Sequence, residues 1–196
     1  MIINSALFLT ALINPISKIA VISMLPESAS MKDVEKIALR SSLVAFAMLI
    51  VFALGGNLLF KSVFHIELYS FQSVGGFVVF FYGFMALRQG VFFEVSSQQK
   101  LLDLSIVPIA SPLIAGPATI TAVITLSAEH HISTVIIALA LALGLNLAAM
   151  LLSRVIAKPL IKFNVMGALI RITGLFVASI GVDMMFTGIR SFAQTL

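Results

Sequence analysis

The chain of 196 residues contains no cysteine and no tryptophan, and only 10% of it is charged. Without cysteine there is no disulfide, no thiolate nucleophile and no thiolate metal centre. Without tryptophan, and with only two tyrosines, the amphipathic aromatic belt of a membrane protein is weak; the 16 phenylalanines lack its polar handle. Charge is far below the roughly 25% of a soluble domain, hydrophobic residues make up 60%, and mean hydropathy is +1.14. A soluble globular domain is thereby excluded, and an integral membrane protein is indicated. Catalytic motifs are also missing: there is no HExxH, no P-loop and no GxSxG. Neither an enzyme nor ATP-driven transport by this chain alone is expected, and no cofactor is implied.

A bilayer crossing needs roughly 20 apolar residues. Six candidate spans meet this, at about 3–25, 40–60, 69–91, 104–127, 132–153 and 167–189. They predict an all-α integral membrane fold in a single membrane domain, 1–196. The first segment has no basic n-region and no small-residue cleavage site, so it reads as a spanning helix rather than a signal peptide. Nine basic residues (Lys32, Lys36, Arg40, Arg88, Lys100, Arg154, Lys158, Lys162 and Arg171) fall in odd-numbered connectors, against Lys61 and Arg190 on the other side. By the positive-inside rule, the odd connectors are cytoplasmic and both termini extracytoplasmic. This use of the basic residues accounts for the net charge of +4 and the pI near 9.7 without invoking nucleic acid.

Two of the spans are interrupted in their middles, in matching positions. The first carries Asn14-Pro15-Ile16-Ser17, and the fourth carries Pro112-Leu113-Ile114-Ala115-Gly116-Pro117. Proline removes a backbone donor and clashes with the preceding turn, which frees polar groups that lipid cannot satisfy. Paired interruptions of this kind are the best sequence pointer to a transporter's binding site. Asparagine is a preferred N-cap and proline a preferred first helical residue, so Asn14-Pro15 can end one half-helix and begin another. Gly116-Pro117 repeats the device. The half-helix N-termini present free N–H groups and a positive dipole end, which suit a carboxylate. The candidate substrate-binding set is therefore Asn14, Pro15, Ile16, Ser17, Ala115, Gly116, Pro117, Ala118 and Thr119. The small residues among them leave room for a ligand. Further parallels, Gly76…Gly83 with Gly174…Gly181 and Gly55-Gly56-Asn57 with Gly144-Leu145-Asn146, predict a 3+3 inverted repeat with discontinuous first and fourth helices. Repeat one covers about 1–92, a cytoplasmic connector about 93–103, and repeat two about 104–196.

Other polar residues at depth are few. Asp183 is the only acid well inside a predicted span, and such carboxylates often mark ion pathways. It is the candidate for ion coupling, to H+ or Na+, with headgroup contact near the outer end as the alternative. Lys18 lies one turn past Pro15, yet its long side chain can snorkel to the cytoplasmic face, which is the favoured reading. Asn57 and Asn146 are expected to bond across helices, and the glycines of spans three and six to permit close packing. Glu129-His130-His131 reads as a solvated loop, because adjacent residues do not face one way; no metal site is expected.

Several of these segments carry a family resemblance. Val107-Pro108-Ile109-Ala110-Ser111-Pro112-Leu113-Ile114-Ala115-Gly116-Pro117 is similar to the Val-Pro-Leu-Ala-x-Pro-Leu-x-Ala-Gly-Pro pattern of the MarC family. Asn14-Pro15-Ile16-Ser17 resembles that family's Asn-Pro-x-Gly start. Arg171-Ile172-Thr173-Gly174-Leu175 through Gly188-Ile189-Arg190 resembles its C-terminal end. The resemblance implies a six-helix protein of the cell inner membrane, of the small neutral amino acid transporter type, with glycine and alanine as associated substrates. The sequence departs from the family pattern at Ser17-Lys18, Ser73, Ala118 and Asp183. The expected function is secondary transport of a small neutral amino acid held at the midplane between the broken helices. A passive channel for small polar solutes and a membrane partner without transport activity remain as alternatives. Neither the direction of transport nor the oligomeric state is written in the sequence.

Overall fold

The computed structural model describes residues 1–23, 25, 29–63, 65–90, 103–163 and 165–195. Among them all regular structure is helical: α1 (Ile2–Ile13), α2 (Pro15–Ser23), α3 (Met31–Leu58), α4 (Leu68–Gln89), α5 (Pro117–Glu129), α6 (Ile132–Leu151), α7 (Ser153–Lys162) and α8 (Met166–Ala193). An irregular, wide-turned segment, Ile106–Ile114, precedes α5. The connector expected at 93–103 lies outside the described residues, apart from Asp103.

Five segments are long and apolar enough to cross a bilayer: Ile2–Ser23, Met31–Gly56, Leu68–Gln89, Ile132–Leu151 and Met166–Ala193. Ile2–Ser23 contains the break at Asn14. The predicted fourth span instead consists of Ile106–Ile114 and α5, each too short to cross alone. The first and fourth segments are thus discontinuous, as their prolines predict, and among the described residues five helical stretches, not six, are long and apolar enough to cross. The reason is local: Val107 and Ser111 have extended backbone angles, and prolines at 112 and 117 cannot continue a regular ladder.

Two connectors expected to be loops are partly helical. Ser30 and Asp33 form a reciprocal capping box, with Asp33 N donating to Ser30 Oγ (3.2 Å) and Ser30 N donating to Asp33 Oδ2 (2.8 Å). This starts α3 at Met31, nine residues ahead of the predicted span, so Lys32, Lys36 and Arg40 ride on its first turns. Residues 153–162 form α7, whose Arg154, Lys158 and Lys162 repeat every four residues along one face while Val155 and Ile156 stand exposed. That pattern is that of a helix lying along a membrane surface. Arg154 Nη2 donates to the Ala29 carbonyl, so the first and third basic connectors meet at one end of the molecule.

The core is aliphatic and formed mainly by α1, α2, α3, α5 and α6, with Leu9, Ile13, Leu49, Ile109, Ile114, Val123 and Leu139 buried. Large apolar side chains also cover the outside, including Leu43, Leu54, Phe77, Phe81, Leu141, Leu145, Phe176 and Phe186. In a membrane protein this surface meets lipid.

The closest helix pair is α4 with α8. A Cβ on Gly83 would lie 2.3 Å from Ala178 N, and one on Gly181 would lie 2.3 Å from Phe80 N. Gly76 meets the Gly181 carbonyl and Gly174 meets the Gly83 carbonyl, so the two helices run antiparallel with backbones in contact. Small residues let membrane helices approach this closely, where dispersion and weak backbone contacts replace the missing hydrophobic drive. The packing role expected of these glycines is met. Gly181→Val is expected to lower stability by at least about 1–3 kcal/mol, the ordinary cost of overpacking. Gly144→Ala, where an added Cβ meets nothing within 4 Å, should stay within about 1 kcal/mol of the parent. Thermal denaturation in detergent checks both.

Candidate functional site

Asn14 ends α1 in the left-handed region (φ 54°, ψ 78°), its N–H donating to the Thr10 carbonyl at 2.9 Å. Asparagine tolerates this conformation far better than most residues. The same residue starts α2: its carbonyl accepts from Ser17 N (3.1 Å) and from Ser17 Oγ (2.7 Å), and its Oδ1 faces Ser17 N at 3.4 Å. One residue therefore serves both half-helices, as the Asn-Pro pair predicts. In the second break, Ala115 N donates to the Ala110 carbonyl at 2.8 Å, and Gly116 in extended geometry opens α5 with Pro117 as its first residue. Gly116 has no room for a side chain, since a Cβ would lie 2.3 Å from the Pro112 carbonyl. Its small size is required by the turn itself.

The two breaks face each other across one cavity of about 60 Å³. Asn14, Ser17, Gly116, Pro117, Ala118 and Thr119 of the expected set line it. Pro15, Ile16 and Ala115 do not; Ile16 is turned outward, 40% exposed, and Ala115 is packed beneath. Helices α4 and α8 close the cavity with Val78, Val79, Tyr82, Val177 and Ile180. A water needs at least ~10–15 Å³ of such space, so the cavity has room for water or a small solute.

The unexpected occupant of the wall is Lys18. It does not snorkel: it is 1% exposed, and its ammonium donates to the Ile13 carbonyl at the end of α1, to the Leu113 carbonyl of the second break (2.6 Å) and to Ser17 Oγ (3.2 Å). The side chain thus ties both breaks together, over a separation of 95 residues in sequence. A charge is costly to bury unless paired, yet all three partners are neutral and no acid is among the described residues that line the cavity. Among the described residues the ion pair found is Lys61–Glu67, at the surface. The signal for Lys18 was present in the sequence, three residues past Pro15, but reach alone does not choose between inward and outward rotamers. Tyr82 was missed because nothing in the order of residues brings α4 to the breaks.

Asp183 is not part of this cavity. It lines a larger one of about 550 Å³, with Glu129, Gln72, Thr121, Thr125 and Ser179. Leu12, Ala118 and Ile180 border both spaces, so the larger one lies against the smaller as a vestibule, mostly apolar with a few polar side chains. Asn146 also departs from expectation. Its Nδ2 donates to Met150 Sδ within its own helix (3.5 Å), and its buried Oδ1 has no partner. The side chain of Asn57 lies outside the described residues.

An apolar helical chain broken twice at a shared cavity agrees with what comparison with known proteins finds. The profile of MarC family integral membrane proteins matches residues 1–193. The chain belongs to the MarC family. A UPF0056 membrane protein of Pyrococcus horikoshii is 39% identical over 187 residues, covering 95% of this chain and 92% of that one. The UPF0056 membrane protein YvbG of Bacillus subtilis is 28% identical, covering 100% and 97%. Another, from Methanocaldococcus jannaschii, is 29% identical, covering 92% and 91%. No solved structure matches the chain.

In this MarC protein the left-handed turn at Asn14 has a direct test. Asn14→Ala places an ordinary side chain in that conformation, at an expected cost of about 1–2 kcal/mol. Asn14→Gly relieves the strain and should retain more of the stability. Thermal melts of the two variants in detergent give the order.

Proposed function

We propose that the chain is a secondary transporter of small neutral amino acids, glycine or alanine, held between the two broken segments. The observation that carries this is the small cavity bounded by both breaks in a membrane protein of the MarC family. Its small volume suits a small ligand, as glycine and alanine are, better than leucine or lysine. The N-termini of α2 and α5 border it and favour a carboxylate.

In this reading the chain crosses the membrane six times as a 3+3 inverted repeat, with 106–129 as the broken fourth crossing. The α4–α8 contact supports it, because Gly76–Gly181 and Gly174–Gly83 are the same contact with the two halves exchanged. The two halves rock about the fixed site. The vestibule at Asp183 admits the coupling cation, H+ or Na+, from the outer side. Both termini then lie outside the cell inner membrane, with the basic face of α7 at the cytoplasmic surface.

Ala118 borders both cavities, so Ala118→Leu adds a large side chain at their common wall. In proteoliposomes, glycine flux is expected to saturate with concentration and to fall at least tenfold in Ala118→Leu, while the melting temperature of the purified variant changes little. Flux that rises linearly with concentration would replace the carrier with a channel. Unchanged flux in the variant would move the site elsewhere.

A further inference from the structure

We infer that Lys18 is the carboxylate-binding residue of this cavity, and that its resident ammonium makes a ligand's own amino group dispensable, so that small carboxylates without one are also ligands. The inference rests on the transporter reading above and concerns the chemistry of the same site.

Three observations carry it. First, the Lys18 ammonium is buried at the junction of both breaks and lines the cavity. Its partners, Ile13 O, Leu113 O and Ser17 Oγ, are neutral; the hydroxyl, at 3.2 Å, is the one that a ligand carboxylate would replace as third acceptor, and none of the described residues lining the cavity is acidic. A full positive charge at membrane depth is costly without a counter-charge, and an anion in the cavity supplies one. Second, the N-termini of α2 and α5 border the same space, so the helix dipoles add positive potential there. Third, Ile13 O and Leu113 O, carbonyls freed by the two breaks, would be acceptors for an incoming ammonium. The Lys18 side chain already occupies them. The acidic groups Asp183 and Glu129 belong to the vestibule and do not line this cavity. Recognition therefore runs through the ligand's carboxylate, with size set by the walls of α4 and α8.

The test is a thermal-shift and competition series on the full-length protein in detergent, using potassium acetate, potassium propionate, glycine, alanine and ethylammonium chloride, with potassium chloride as the salt control. The expected result is that acetate and propionate stabilise the protein and compete with glycine and alanine within about tenfold, while ethylammonium does neither. Lys18→Met should weaken all four carboxylates at least tenfold, and Lys18→Arg should keep part of the binding. Binding of glycine and alanine without acetate or propionate would overturn the inference and leave the amino acid transporter standing, as would competition by ethylammonium or full affinity in Lys18→Met. Binding of acetate and propionate without glycine or alanine would uphold the carboxylate site and remove the amino acid reading. No response to any of the four carboxylates would overturn both. If Lys18→Met does not fold, the ligand series on the unaltered protein decides alone.

Discussion

Backbone polar groups at membrane depth must find partners inside the protein, and the architecture around the two breaks follows from that constraint. A chain that stops a helix at Ile13 and again at Ile114 frees carbonyls in the middle of its apolar segments. Two devices take them up. Asn14 closes α1 and opens α2 with its own backbone and side chain. The ammonium of Lys18 then gathers a carbonyl from each break. The cost of one constraint is thus met by accepting another, a basic side chain buried among neutral partners.

The rest of the molecule holds the breaks against each other. The α4–α8 pair works through the absence of side chains: glycines at 76, 83, 174 and 181 bring backbone to backbone. This places Val78, Val79 and Tyr82 of one helix beside Val177 and Ile180 of the other, as one wall of the cavity. Gly75 extends the same economy to α5, since a Cβ there would lie 2.4 Å from Pro117 Cβ. Packing and site are consequently one problem in this fold. A residue added at the helix interface would move the cavity wall as well.

Much of the site was legible in the residues because its causes are local. Asn-Pro and Gly-Pro act on their own turns, through a missing donor, a fixed φ and a tolerated left-handed conformation, and they do so wherever they stand in a helix. Asn14, Ser17, Gly116, Pro117, Ala118 and Thr119 reach the cavity as their spacing implied. Less legible were features with equal local alternatives. Ser30-x-x-Asp33 is a capping box in plain sight, but hydropathy placed the start of its helix at residue 40. Asn146 carries groups able to bond across helices or along its own, and the neighbours around α6 decided for Met150.

By itself the sequence determined that this is a helical membrane protein, where its helices break, and which faces are small enough to pack backbone on backbone. These follow from hydrophobic content, from the chemistry of proline, asparagine and glycine, and from spacing along one chain. Only the tertiary structure decided that Lys18 turns inward, that Asp183 stands in the vestibule and not in the inner cavity, and that α4 and α8 wall the site. Each of these depends on groups far apart in sequence. Lys18 can reach water or the Leu113 carbonyl with the same side chain, and the carbonyl wins because folding brings the second break within 2.6 Å of it.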